Sequence, residues 1–258
     1  MIRLIFSGLL MLAASYCFAQ SDQTIPLRGA TKVHIFAAFS GVEVTTGPVS
    51  DVSLTHILSV DGDDRPDLRE LSIERQGKTL TIREVKPTAK LINREARWGN
   101  VTISYGDEDN KNSHRSGQDM AIVEAILKVQ VPANVAVTVE TVYGGIKATD
   151  VRGLAEASAK YGAIDVVFTE KIRFGQLSLN SEYGAVDLTV PPGFSADVDL
   201  MTKYGDLLTD LDINVDTERS KEKAFYQHVI GTVGGPGDNR GQVQCKTPYG
   251  NVYLREGN

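Results

Sequence analysis

Cysteine is almost missing from this chain: there are two, Cys17 and Cys245. Cys17 falls in a stretch read below as a removable leader. The single thiol left excludes an intramolecular disulfide, so stability has to come from core burial. Histidine is equally sparse. His34, His56, His114 and His228 show no HxxxH or HExxH spacing, which leaves zinc without a ligand set. No run of four or more Lys or Arg relieves a net charge of −6, so the basic stripe that nucleic-acid binding requires is lacking. There is no G-x-S-x-G nucleophile elbow. The glycine-rich run Gly234 to Gly241 has neither the Lys-Ser/Thr nor the following helix of a phosphate loop and reads as a turn. These absences predict a chain with no catalytic centre, metal or cofactor. Long amphipathic helices are missing too, and Thr217 to Val229 is the one short helical candidate.

The first residues read as an address. Arg3 supplies a positive charge, and Leu4 to Ala14 is apolar except for Ser7 and Gly8, the pattern of a secretory leader too short to span a bilayer. Cys17 and Ala19 occupy small-residue positions ahead of a cut before Gln20. The bulky Tyr16 argues against lipidation of Cys17. Residues 1–19 are therefore expected to be a signal peptide, and the mature chain carries a charge of −7 once Arg3 is removed. No later run of 18 apolar residues appears, so no helix after cleavage is expected to cross a membrane.

What the chain does have is a repeat. Tyr143-Gly144, Tyr161-Gly162, Tyr183-Gly184, Tyr204-Gly205 and Tyr249-Gly250 each lead to an Ile, Val or Leu two residues after the glycine, and the tyrosines are spaced by 18, 22, 21 and 45 residues. The last interval reads as two rungs plus a short excess, and it contains a polar segment from Asp212 to Arg240. Trp98-Gly99-Asn100-Val101 and Phe39-Ser40-Gly41-Val42 are weaker relatives. A period near 20 points to a solenoid. Leu177, Leu179 and Ser181 alternate before one corner and Val186, Leu188 and Val190 after it, with the phase slipping by one residue at Tyr183-Gly184. Each rung is thus strand, Tyr-Gly corner, strand, the glycine making the bend sterically cheap. The inward residue two before each tyrosine stays small (Thr141, Ala159, Ser181, Thr202, Thr247), as a tight corner requires.

The predicted fold is all-β, a β-solenoid of the parallel β-helix or β-roll kind with rungs of about 20 residues. Residues 20–105 form a less regular β region or cap, in which Val33 to Val44 repeat the rung design one residue shorter. Leu71 to Arg75 and Thr79 to Arg83 form a hairpin around Gln76-Gly77-Lys78. Residues 106–120 form a polar loop, residues 121–258 the regular rungs, and 20–258 one continuous domain.

The run from Leu127 to Glu140, with Thr141 and Tyr143-Gly144-Gly145-Ile146, and the later Val233-Gly234-Gly235 entry to Gln242–Leu254, resembles a bacterial family of unknown function labelled "putative adhesins". The likeness covers roughly residues 30 to 256. It implies an exported β-solenoid at the bacterial cell envelope. The sequence departs from that family in placing Tyr before the Gly where Ser is commoner.

Tyr143, Tyr161, Tyr183, Tyr204 and Tyr249 are therefore the candidate binding residues. Their column suits contact with a protein or glycan at the envelope, or serves to shield the corners and fix register. Lys160, Glu182 and Lys203 precede the tyrosine in three rungs read as consecutive, which predicts a salt-bridged outer ladder. Asp165 and Asp187 share a position on neighbouring rungs and are expected to be a solvated pair, and Cys245 is expected in the core. The reading is an exported, non-enzymatic scaffold in the periplasm or at the cell surface, with end-to-end self-association through an open carboxyl-terminal rung. The alternative is a polysaccharide-active β-helix enzyme using the acids of its outer face.

Overall fold

The structure, a computed structural model, describes residues 22–85, 102–103, 122–170, 175–235 and 240–257. The expected leader with Cys17, the Trp98 relative and the polar loop at 106–120 lie outside the described residues. What is described is all-β, with one short 3-10 turn at Pro66–Leu68.

Period-two alternation forces the layout. Where every second residue is apolar, a strand buries one face, and two such faces close on each other. Five units pass from the second sheet to the first through a corner: Ala136–Thr141 to Ile146–Thr149, Leu154–Ala159 to Ile164–Val167, Gln176–Ser181 to Val186–Val190, Ala196–Thr202 to Leu207–Thr209, and Gly241–Thr247 to Val252–Glu256. Lys32–Ala37 and Gly41–Gly47 form a sixth, paired in parallel with the first. Identical positions stack across units. Ile35, Val139, Ala157, Leu179, Cys245 and Leu200 make one inward row, and Val44, Ala148, Val166, Leu188 and Leu254 face them from the first sheet. All are at most 2% exposed, and each large aliphatic among them contributes about 1.5–3 kcal/mol by leaving water. Residues 41 to 47 lead in the first sheet to Ile122–Pro132, which pairs with them in parallel and with Val52–Val60 antiparallel.

Several expectations need correction. The unit Lys32–Ala37 to Gly41–Gly47 is not shorter than the others: Ala37 aligns with Thr141 and Val42 with Ile146, so Ser40 stands in the place of the corner glycine. Among the described residues, the interval from Tyr204 to Tyr249 holds no additional unit of the stack. Its middle forms Ile213–Val215, Lys221–Lys223 and Tyr226–Val233, and the last of these pairs antiparallel with Ala196–Thr202. The helix expected at Thr217–Val229 is thus strand and turn, because Val229 and Val233 turn inward alternately with outward-facing neighbours. Gly241–Thr247 then inserts between Gln176–Ser181 and Ala196–Thr202, and Val252–Glu256 inserts in the same way in the first sheet. The carboxyl-terminal unit is therefore interior. It offers no free edge for the expected end-to-end association, since both of its strands are paired on both sides. The hairpin at 71–84 is present.

Candidate functional site

The corners stack as the strands do, and they carry the tyrosines into one column. Its order is Phe39, Tyr143, Tyr161, Tyr183, Tyr249, Tyr204, with ring centroids 5.0–5.6 Å apart and interplanar angles of 12–18°. Phe225 continues it at 6.3 Å, tilted by 40°. Five strand spacings of about 4.8 Å make the six-ring stack roughly 24 Å long. Each tyrosine stays 45–52% exposed and Phe225 76%. Because the rings overlap face to face, what they offer to solvent is mainly edges and phenol hydroxyls.

The glycines beneath the rings are required by the stacking itself. None of the five has a positive φ, so the reason is not the conformational freedom expected from the sequence. A methyl group on Gly144 would lie 1.9 Å from the Ser40 carbonyl oxygen. On Gly162, Gly184, Gly250 and Gly205 it would lie 2.1–2.2 Å from the corner carbonyl of the adjoining unit. The small inward residues do more than save space. The hydroxyls of Ser181, Thr202 and Thr247 each donate to the glycine carbonyl of the preceding corner in the column and accept from the amide of their own corner glycine, at 2.8–3.1 Å. Ala159 has no hydroxyl to offer, and that of Thr141 finds no partner.

Inside the column the amides of Tyr143, Tyr161, Tyr183 and Tyr204 donate to the preceding unit, as Tyr161 does to Val142 and Tyr183 to Lys160, while the amide after the corner donates to the following one, as Ile164 does to Ala185. At the ends those partners run out, and side chains replace them. The Glu84 carboxylate accepts from the amides of Phe39 (2.8 Å) and Ser40 (3.1 Å) and from the Ser40 hydroxyl (2.6 Å). At the other end the Gln227 side-chain carbonyl accepts from the Leu207 amide at 2.9 Å, where a corner carbonyl would otherwise stand. Neither residue was singled out from the sequence, and no local signal marks them, since each acts on a corner at least 20 residues away.

His56 completes the first cap, with Nε2 3.2 Å from Ser40 Oγ. Burial alone would push the Glu84 carboxyl up, but hydrogen bonds from His56, the Phe39 amide and Ser40 outweigh it and hold it below its usual range. Serine, histidine and glutamate together suggest a hydrolytic triad, but the connectivity is wrong. Ser40 bonds directly to Glu84, the histidine Nδ1 is without a partner, and all three residues are at most 4% exposed.

The remaining sequence candidates are placed as follows. Lys160 and Lys203 lie over their own tyrosine rings, with Nζ 5.3 and 5.0 Å from the centroids. The expected Lys160–Glu182–Lys203 ladder does not form, because the Tyr249 unit separates the last two. Glu182 instead raises the pKa of the Tyr183 phenol by its charge. Asp165 and Asp187 are register partners, but Asp187 is half-buried and joined to Arg255 at 2.8 Å. Its burial pushes its pKa up, Arg255 opposes the shift and Asp165 adds to it. Cys245 is fully buried, its thiol pushed up to about 12 by burial. Among the described residues, no three His, Cys, Asp or Glu side chains gather as metal ligands do, and no helix is long and apolar enough to cross a membrane.

Among solved structures the chain resembles a "putative cell adhesion protein" from Clostridium sporogenes, at a TM-score of 0.59 and 12% identity over 92% of this chain and 99% of that one. A "putative adhesin" from Bacteroides fragilis covers 91% of this chain and 95% of its own at 9% identity, but its TM-score of 0.24 is too low to inform the fold. No family model and no curated protein matches the chain. The first likeness supports the architecture alone.

Proposed function

We propose that the protein is an exported, non-enzymatic β-solenoid that acts as a rigid scaffold at the bacterial cell envelope, in the periplasm or on the surface. It resembles the adhesin-labelled proteins in this role, and its aromatic column is a recognition edge for an envelope protein or glycan. The parallel registers and the shared corner support the solenoid reading. Repetition gives an extended edge, which suits recognition of a long partner better than a single reaction centre.

The observation that carries the reading is the column's exposure. Five half-exposed tyrosines and Phe225 leave on the order of 600 Å² of aromatic surface, taking roughly 200 Å² per ring. That is at the upper end of the largest patch a typical monomer shows, and patches of that size are often functional. Phe225 sharpens the point: it holds a φ of 59° at a hairpin tip while 76% exposed, a conformation that costs a bulky residue about 1–2 kcal/mol. Since the rings cover one another's faces, the edge suits a protein surface better than a sugar seeking a ring face. The test is saturable binding of labelled residues 20–258 to intact bacterial envelopes, beside a Tyr161→Ser/Tyr183→Ser/Tyr249→Ser variant that interrupts three adjoining rings. Lost binding by a folded variant supports the reading. Undiminished binding reduces the column to architecture.

A further inference from the structure

The outer face of the second sheet carries a groove remote in kind from the aromatic edge. Its floor is built by Gln176–Ser181, Gly241–Thr247, Ala196–Thr202 and Tyr226–Val233, and residues 214–219 wall one end of a space of about 490 Å³. Register places one hydrogen-bonding side chain from each of five strands in a single row. Gln176 stands opposite Gln242, Gln242 opposite Asp197, Asp197 opposite Thr232, and Thr232 opposite Asn214. With strands about 4.8 Å apart, the row runs for roughly 19 Å across the sheet. Their chain neighbours Leu177, Val243 and Val198 are buried on the other face. Beside this row, Gln244, Asp199 and Ile230 form a second.

Charge in the groove is compensated. Asp197 lies 3.7 Å from Arg240, Asp199 takes Lys246 at 3.1 Å and His228 at 2.8 Å, and Asp216 meets Arg219 at 4.0 Å. His228, Gln244 and Lys246 also outweigh the burial of Asp199 and hold its carboxyl below the usual range. A cation therefore finds no spare carboxylate and an anion no spare base. The side chains left open are the carboxamides of Gln176, Gln242 and Asn214 and the Thr232 hydroxyl. Each offers both a donor and an acceptor, as the hydroxyls of a sugar do, and Ile230 adds an apolar patch. The sugars of an extended chain also repeat at close to the strand spacing, about 5 Å.

We infer that this groove binds a neutral oligosaccharide lying across the strands. The inference is independent of the aromatic column. It is tested by calorimetric titration of residues 20–258 with cellotetraose, maltotetraose and chitotetraose, with a heparin tetrasaccharide and calcium chloride as charged comparators. At least one neutral tetrasaccharide is expected to bind. Gln242→Ala, at the centre of the row and on the surface, should weaken it about threefold to tenfold, the loss of one hydrogen bond. Gln242→Ala/Asn214→Ala should weaken it further, with an unchanged melting temperature. The variant lacking three column tyrosines should bind as wild type does, so failure of the column reading leaves this result standing. Absence of binding by all three neutral sugars, undiminished binding in the groove variants, preference for the charged comparators, or loss confined to the column variant would each overturn the assignment.

Discussion

Gly184→Ala is the sharpest test of how the stack is held together. The added methyl would sit 2.2 Å from the Gly162 carbonyl oxygen, whereas carbon–oxygen contacts settle near 3.3 Å. The two corners must therefore part by about 1 Å. The hydrogen bonds that span that gap include Tyr183 N–H to Lys160 at 3.0 Å, Ile164 N–H to Ala185 at 2.9 Å, and the Ser181 hydroxyl to Gly162 at 2.9 Å. Losing them costs about 1 kcal/mol each, and forcing the methyl into a packed site costs about 1–3 kcal/mol more. Reduced freedom of the unfolded chain returns about 0.4–1 kcal/mol. The expected net destabilisation is about 4 kcal/mol.

Urea unfolding of residues 20–258 followed by far-ultraviolet circular dichroism measures this directly. Gly175→Ala is the control, since a methyl there meets nothing within 4 Å and φ is not positive; it should stay within about 0.5 kcal/mol of wild type. Gly205→Ala should fall between the two. Its methyl meets Gly250 at 2.1 Å, but Leu207–Thr209 is the last strand of its sheet and can move outward. A Gly184→Ala protein within about 1 kcal/mol of wild type would refute the claim that cross-unit contact, and not local bending, selects glycine.

Glu84→Gln should cost about 1–3 kcal/mol at neutral pH by leaving backbone amides poorly accepted. Because the folded Glu84 pKa is lowered, its stabilisation is present above the usual value of 4.5 and is lost as pH falls through the folded value. The melting temperatures of wild type and variant should therefore converge in acid, and a gap that persists unchanged there would contradict the cap. Gln227→Ala should raise hydrogen exchange at the Leu207 amide while leaving Val186 protected; equal protection in both proteins would show that the side chain caps nothing. Ala159→Ser should stabilise by about 0.5–1.5 kcal/mol, because a hydroxyl there reaches the Gly162 amide and the Gly144 carbonyl as Ser181 reaches its own pair; a neutral or harmful effect in denaturant titration would count against that role. Cys245 should resist a thiol reagent until the protein unfolds, and prompt labelling of native residues 20–258 would contradict its burial.

The strand segments were legible because period-two alternation is a local signal. Leu177, Leu179 and Ser181 reveal their common face without any partner in view, and the Tyr-Gly repeat shows that successive faces share a corner. Order along the stack was not legible. The chain lays Ala196–Thr202 two strand positions from Gln176–Ser181 and fills the gap later with Gly241–Thr247. Nothing within either strand distinguishes adjacent placement from separated placement, since both present the same apolar face. The groove was hidden for the same reason. Gln176, Gln242, Asp197, Thr232 and Asn214 become one row only when five distant strands take their register.

The two caps close this line of reasoning. Each edge of a stack of parallel strands exposes both unpaired amides and unpaired carbonyls, and such edges invite growth. Glu84 supplies acceptors where the corner column begins and Gln227 supplies one where it stops, while Tyr226–Val233 covers the outer strand of the second sheet in antiparallel sense. With the column ends satisfied and the carboxyl-terminal unit enclosed, backbone pairing at the corners is completed within one chain. The contacts proposed above are then lateral, at the aromatic edge and on the outer face of the second sheet, and do not draw on the capped corners.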